Sequence, residues 1–108
     1  MRYWRHFAPD MLKESVGHRS CVVLDQGNGC VGECLAGVSQ YETDEYPELQ
    51  THPFQEGFYV IEGGGQALVD GEEFSIAAGT SFLVPAGKKH ALRRGPGEAF
   101  VRVFWFHA

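Results

Sequence analysis

Two short segments of the chain contain residues whose types and spacing suit a metal site. The first contains Gln50, His52 and Glu56, and the second ends at His90. Side chains two residues apart on a β-strand lie on the same face, so Gln50 and His52 are expected to face together, with Glu56 following across Pro53. If that face points inward, His90 closes the site from another strand. The spacing predicts a site with these metal ligands: Gln50, His52, Glu56 and His90.

Imidazole, carboxylate and amide donors suit a borderline or hard divalent ion, so Fe, Mn, Ni, Co and Zn are the candidate metals. Two imidazoles and one carboxylate leave coordination positions for water and substrate, as a catalytic metal requires. Glu56, or a group near it, is then the candidate catalytic residue that moves a proton. Taken singly, each of these residues also has an ordinary role at the surface or in the core of a β-protein.

The rest of the chain predicts an all-β domain that positions this site. Fourteen glycines supply many tight turns, and Asp70-Gly71 between two β-rich runs is typical of a short hairpin. The predicted strands cover residues 21–25, 30–41, 50–54, 58–62, 67–69, 73–76, 81–84, 90–94 and 100–106. This spacing favours a small antiparallel jelly-roll barrel, the double-stranded β-helix, over residues 21–108. Residues 1–20 are expected to form an N-terminal arm, with a short helix opening at Pro9.

Length and charge narrow the function classes. A chain of 108 residues is large enough for one domain. Its net charge of −5, with no basic cluster beyond Lys88-Lys89 and Arg93-Arg94, argues against nonspecific nucleic-acid binding. We find no apolar run long enough to span a membrane and no apolar signal-peptide segment, so no membrane partner is expected and a cytoplasmic location is the default.

The cysteines give no metal or disulfide motif. Cys21, Cys30 and Cys34 are an odd number without C-x-x-C spacing. On one strand, Cys30 and Cys34 would lie about 13 Å apart, too far to bridge. Buried, reduced thiols are therefore favoured over a redox role.

The two segments resemble the two motifs of the cupin superfamily. In the first, three residues separate His52 from Glu56, and six separate Glu56 from Gly63. In the second, Gly79 is followed after five residues by Pro85-Ala86-Gly87 and then, after two more, by His90. The resemblance covers about residues 45–95 and implies a cupin barrel.

Three positions depart from the family pattern: Asp44, Gln50 and Arg94 replace a Gly, a His and an Asn. The Gln50 amide oxygen can bind a metal, but more weakly than imidazole, and Glu48 on the same face is a possible substitute. Arg94 either lies near the metal, where it would bind a carboxylate or phosphate, or is exposed to solvent at the end of its strand.

The resemblance implies a metal-dependent enzyme acting on a small oxygenated molecule, of isomerase, ketonising or dioxygenase type, and we favour proton-transfer chemistry. The alternative is a non-catalytic module that binds a small ligand or a metal. A third possibility is a structural barrel that has lost tight metal binding.

The last strand also bears on assembly. Residues 100–106 carry large apolar side chains on both faces. The outer face must then be covered, either by the N-terminal arm or by a second subunit. A homodimer is expected.

Overall fold

The computed structural model describes residues 1–108 and contains eight β-strands and two short 3-10 helices, with no α-helix. The all-β expectation is therefore confirmed. The strands are β1 (Lys13–Ser15), β2 (His18–Leu24), β3 (Leu35–Tyr41), β4 (Glu56–Val69), β5 (Glu72–Ala77), β6 (Ser81–Val84), β7 (His90–Arg94) and β8 (Val101–His107). The 3-10 helices are Pro9–Met11 and Gln26–Asn28.

Strand β4 is shared by two antiparallel sheets. Residues 56–63 of β4 pair with β8 on one side. On the other side, residues 56–59 pair with β6. Residues 64–69 of β4 pair with β5 and β7. The first sheet continues from β8 through β3 and β2 to β1. Two sheets that share one long strand and curl around a common core form the predicted jelly roll.

The glycine triplet lies where β4 passes from one sheet to the other. Gly63 has φ +80°, and a Cβ built on it would collide with the carbonyl oxygen of Phe100. A Cβ on Gly65 would likewise collide with the carbonyl of Arg93. Both sheets can therefore approach the bend in β4 only because these positions carry no side chain.

The Asp70-Gly71 hairpin is confirmed. Val69 pairs with Glu72, so only these two residues separate β4 from β5. Both have positive φ, +50° at Asp70 and +82° at Gly71, which matches the right-handed twist of the flanking strands.

The main core lies between the two sheets. Four of its side chains are almost completely excluded from solvent: Val60, Leu92, Val101 and Val103. Aromatic rings fill the space around them, with the Phe58 and Phe82 rings stacked 4.7 Å apart.

A second apolar cluster lies on the opposite face of the first sheet. Leu12 is 3% exposed and packs, together with Phe7, against side chains of β2 and β3. The N-terminal arm therefore covers part of the outer face. It was one of the two covers expected for that face, the other being a second subunit. Phe104 of β8 packs against this cluster, whereas Phe106 stays 44% exposed.

The prediction for Cys30 and Cys34 was wrong. Strand β3 begins only at Leu35, and the residues before it form turns, with the Cys34 N–H donating to the carbonyl of Val31 over 3.2 Å. The two sulfur atoms lie 2.8 Å apart, not 13 Å. The error came from extending the strand through Gly32, whose φ of +61° reverses the chain.

Candidate metal centre

His52 is carried by a loop, and the strand predicted over residues 50–54 was wrong. Only Gln50 pairs with another strand, through two backbone hydrogen bonds of 2.9 Å with His90. Pro53 has no N–H to donate to a strand ladder, and residues 51–55 have no regular structure. Alternation along a strand therefore does not explain how His52 reaches the site.

Backbone hydrogen bonds position the loop instead. The N–H of Gly87 donates to the carbonyl of His52 over 2.7 Å. Because Gly87 lies in the turn just before His90, this bond joins the two segments that carry the candidate ligands. The imidazole centroids of His52 and His90 lie 5.4 Å apart as a result.

Glu56 is the first residue of β4 and points into the barrel. It pairs with Val84 of β6 and with His107 of β8, and it is only 6% exposed. Pairing on both sides fixes the backbone of Glu56 and thus the direction of its carboxylate. A buried carboxylate at a rigid strand start is well placed to be a ligand.

The nitrogen and oxygen donors of His52, Glu56 and His90 converge. Oε1 of Glu56 lies 3.2 Å from Nε2 of His90 and 3.6 Å from Nε2 of His52. The donor atoms of all three residues lie within 4.8 Å of one another. Donors bound to one metal at about 2.1 Å stand roughly 3–3.5 Å apart, so the cluster has nearly the spacing of a ligand set.

An acceptor atom without a hydrogen-bond partner also fits a metal at this site. Oε1 of Glu56 is buried and makes no hydrogen bond, although it faces the two imidazole nitrogens. A buried carboxylate oxygen without a partner is costly, and a cation between Oε1 and the imidazoles would remove that cost. The three residues thus fit a divalent transition metal.

His107 is a fourth member of the site that the sequence analysis missed. Its Nε2 lies 2.8 Å from Oε2 of Glu56, and its ring stacks on Trp105 at 4.9 Å. The signal was present, because alternation along β8 from the buried Val101 and Val103 puts His107 on the inward face. It was overlooked because it lies 51 residues from Glu56 in the chain, outside both recognised segments.

The electrostatics of the cluster favour the metal-binding protonation states. Burial raises the pKa of Glu56, but the imidazoles of His90 and His107 act in the opposite direction and hold it below its usual 4.5. Burial lowers the pKa of His52 below 6.5. At neutral pH, Glu56 is therefore a carboxylate and His52 is a neutral imidazole, the forms that bind metals.

The cluster opens into a small cavity of about 160 Å³ inside the barrel. His18, Tyr41 and Gln50 line it together with the candidate ligands. Hydroxyl groups lie along another wall, where Trp105 Nε1 donates to Ser39 Oγ over 2.8 Å. No Lys or Arg lines the cavity.

Gln50 lines the cavity beside the converging donors, and its role as a metal ligand stays a prediction. Glu48 is exposed and does not join the converging donors, so it does not replace Gln50 in this arrangement. Arg94 lies outside the cavity, where its guanidinium donates to the carbonyls of Glu42 and Glu98 over 2.8 and 2.9 Å. Arg94 therefore lies at the strand end and not near the candidate ligands, but it is half-buried and not exposed to solvent as expected.

Comparison with known proteins identifies the family. The cupin domain profile matches residues 37–107, which include all four converging side chains. The chain belongs to the cupin family. The resemblance drawn from the two sequence segments is thereby confirmed.

Solved structures share the fold of this cupin at low sequence identity. The cupin domain of Schizosaccharomyces pombe Cnp3 superposes with a TM-score of 0.75 at 17% identity, covering 90% of this chain and 66% of that one. A salicylate 1,2-dioxygenase from Pseudoaminobacter salicylatoxidans, with gentisate adducts, gives 0.73 at 18% identity, covering 88% and 26%. A predicted oxalate decarboxylase from Thermotoga maritima gives 0.68 at 17% identity, covering 83% and 78%.

These relatives differ in length as well as in chemistry. The cupin spans just under two thirds of the Cnp3 domain chain and about a quarter of the dioxygenase chain. No curated protein sequence matches it significantly. The structure contains no helix with the length and apolarity to cross a membrane.

Proposed function

We propose that this cupin binds one divalent transition metal through His52, Glu56 and His90 and uses it to transform a small oxygenated molecule. The observation that carries the proposal is Oε1 of Glu56, which is buried without a hydrogen bond beside two imidazole nitrogens. Fe, Mn, Ni, Co and Zn all accept this donor set. When bound, the metal supplies Lewis acidity toward substrate oxygens.

Cavity size and lining limit the substrate. A space of about 160 Å³ holds roughly five water molecules at about 30 Å³ each. Because no Lys or Arg lines the cavity, the proposed metal would be the only cation there to bind a carboxylate or phosphate. A small molecule that presents two neighbouring oxygens, such as a hydroxyketone, an enol or a diketone, fits these constraints.

His18 is the group we propose to move a proton. Its Nδ1 lies 2.8 Å from the carbonyl of Val16, and a carbonyl can only accept, so Nδ1 carries the hydrogen and Nε2 is free to accept a proton. Burial lowers the pKa of His18, which keeps the ring neutral at pH 7 and able to act as a base. His18 lines the same cavity as the metal-binding residues.

The role of Glu56 follows from its two oxygens. Oε2 accepts from His107, and Oε1 faces His52 and His90. With both oxygens engaged, Glu56 serves primarily as a metal ligand, and proton transfer through it would need one contact to break. An isomerase or ketonising reaction with His18 as base is therefore favoured over dioxygenase chemistry, for which Gln50 in place of a third imidazole is also less suited.

A non-catalytic module that binds a small ligand or the metal alone is the second candidate. The small cavity and the weak donor Gln50 favour it, because each reduces what the site can hold or activate. A module that binds the metal would use the same centre as the enzyme and differ from it only in turnover.

Metal content, measured by mass spectrometry on untagged protein, tests the shared centre. We expect close to one metal per chain in wild type and loss of that metal in the His52→Ala/His90→Ala double variant. A His6→Ala variant is the matched control, because His6 is exposed in the N-terminal arm. A wild-type protein that neither contains nor takes up Fe, Mn, Ni, Co or Zn would exclude the enzyme and the metal-binding module, and would leave a module that binds a small ligand without a metal.

Turnover then separates the two candidates. The metal-loaded protein is incubated in D₂O with small hydroxyketones and diketones, and exchange of the carbon-bound hydrogen is followed by NMR. Exchange that His18→Gln abolishes, while metal content stays unchanged, supports the enzyme. Ligand binding without exchange supports the module.

The outer face of the barrel supports a homodimer. Four exposed apolar side chains lie on neighbouring strands there: Tyr59 and Ile61 of β4, Leu83 of β6 and Phe106 of β8. The N-terminal arm packs on the other end of this face and leaves them uncovered. We propose that a second copy of the chain covers this patch.

A further inference from the structure

Cys30 and Cys34 form a contact that neither the fold nor the metal centre requires. Their sulfur atoms are 2.8 Å apart, and the hydrogen bond between them is the only one that either side chain makes within the protein. Cys34 is exposed and Cys30 is partly exposed. Cys21, by contrast, lies on β2 and packs against the second apolar cluster, so the three thiols divide into a pair and a single residue.

The backbone around the pair is ordered, which makes the contact a property of the fold. The N–H of Cys30 donates to the carbonyl of Asp25 over 3.2 Å, and the N–H of Cys34 donates to that of Val31 over 3.2 Å. The 3-10 helix Gln26–Asn28 is capped by the Asp25 carboxylate, and β3 begins directly after Cys34. The turn is thus anchored at both ends, and the sulfurs need only a small side-chain movement to bond.

We propose that Cys30 and Cys34 are a redox-active dithiol that small-molecule disulfides such as oxidised glutathione convert into an intramolecular disulfide. The Cys34 thiolate attacks one sulfur of the oxidant, and one glutathione thiolate leaves. Cys30 then attacks the Cys34 sulfur of the mixed disulfide, and the second glutathione leaves. Two protein thiols are oxidised, and one glutathione disulfide is reduced to two thiols.

Such a disulfide is regulatory in character rather than structural. It closes a loop of only a few residues, so it restricts the unfolded chain little. It is also exposed, and exposed disulfides exchange readily with external thiols. The fold needs no bridge there, because the turn is already held by its backbone hydrogen bonds.

The pair lies against the wall of the metal centre. Cys34 lines a surface cavity of about 660 Å³, whose other lining residues include Phe54 and His107. Phe54 stacks on His52 at 5.1 Å, and His107 donates to Glu56. Oxidation therefore changes a surface formed in part by Phe54 and His107, and each of these contacts a candidate metal ligand, His52 or Glu56.

The hydrogen bond with Cys34 raises the pKa of the Cys30 thiol, and burial and nearby negative charge add to this. Less Cys30 thiolate is present at neutral pH, so we expect ring closure to be slow at pH 7 and faster at pH 8.5.

The test equilibrates reduced full-length protein with glutathione disulfide at pH 8, quenches with acid, alkylates free thiols and measures intact mass and linked peptides. We expect one alkylated cysteine, Cys21, and a peptide pair joined through Cys30 and Cys34, with a loss of about 2 Da before alkylation. Cys21→Ala should form the same Cys30–Cys34 bridge and keep no thiol to alkylate. Cys30→Ser and Cys34→Ser should each stop as a glutathione adduct of the remaining thiol.

Three results would overturn the proposal. They are three alkylatable thiols in wild type after equilibration, wild type ending as glutathione adducts to the same extent as the single variants, or a bridge that includes Cys21. Circular dichroism of all three variants, including Cys21→Ala on β2, checks that each result comes from folded protein.

Discussion

The imidazole of His107 holds the carboxylate of Glu56, with Nε2 2.8 Å from Oε2. A carboxylate can only accept, so Nε2 of His107 carries the hydrogen. This bond occupies one carboxylate oxygen and leaves the other facing His52 and His90. His107 itself is fixed by stacking on Trp105. The last strand of the barrel thus orients the central ligand of the proposed metal centre.

His107→Ala should weaken metal binding by about 10–100-fold, the usual effect of removing a hydrogen bond from a metal ligand. Competition with a chelator of known affinity measures this. His107→Gln retains a donor and should recover part of the affinity, whereas His6→Ala should have no effect. Equal affinities in wild type and His107→Ala would mean that Glu56 does not bind the metal through the oxygen that His107 leaves free.

Gln50→His should strengthen metal binding about tenfold or more, because imidazole is a better donor than an amide and Gln50 lines the metal cavity. Its backbone is fixed by two hydrogen bonds to His90, so the new ring starts from a rigid position. Isothermal titration with Ni²⁺ or Zn²⁺ provides the measurement. Thr51→His adds an imidazole next to it, at an exposed position, and serves as the control. An unchanged affinity in Gln50→His would place residue 50 outside the coordination sphere.

The ligand set His52, Glu56 and His90 could be proposed from the sequence because the spacing of the two segments survives in the fold. How these three side chains come together could not be predicted from the sequence. It depends on long-range backbone hydrogen bonds, such as the one from Gly87 to His52, which no local pattern encodes. Alternation along β8 does place His107 on the inward face, but its contact with Glu56 is set by the β4–β8 register, which that local pattern does not give. The Cys30–Cys34 contact was missed because a turn residue, Gly32, was included in a strand.

Gly63→Ala should destabilise the protein by about 2–3 kcal/mol, since it combines a positive φ with a collision against Phe100. Gly71→Ala is the matched control. Its φ of +82° is almost the same, but a Cβ there meets no atom within 4 Å, so only the backbone strain of about 1–2 kcal/mol should appear. Urea denaturation measures both. A Gly63→Ala variant no less stable than Gly71→Ala would show that the sheets do not need this close approach.

Phe106→Glu and Leu83→Glu should each convert the proposed dimer to a monomer, because either places a charge in the centre of the exposed apolar patch. Sedimentation at micromolar concentration should give a dimer mass for wild type and a monomer mass for both variants. Val31→Glu, at an apolar residue that is 81% exposed outside the patch, should remain dimeric. A monomeric wild type would refute the dimer, and a dimeric Phe106→Glu would move the interface elsewhere.

The half-buried imidazole of His18 should make the metal-free protein less stable in mild acid. Burial lowers the pKa of His18 below its usual 6.5, so the unfolded chain takes up a proton at a pH where the folded one does not. Stability is then fully present above pH 6.5 and declines as the pH falls below it. His52 and Glu56 have lowered pKa values too, and they add to the decline, Glu56 only below its usual 4.5.

Urea midpoints of chelator-treated protein at pH 7.5 and pH 5.5 measure this dependence. We expect a lower midpoint at pH 5.5 for wild type and a smaller difference for His18→Gln, which cannot take up the proton. His6→Gln, in the exposed arm, should keep the wild-type difference. A His18→Gln variant with the full wild-type difference would mean that the His18 ring is solvated, and it would also remove the basis for a neutral His18 base in the cavity.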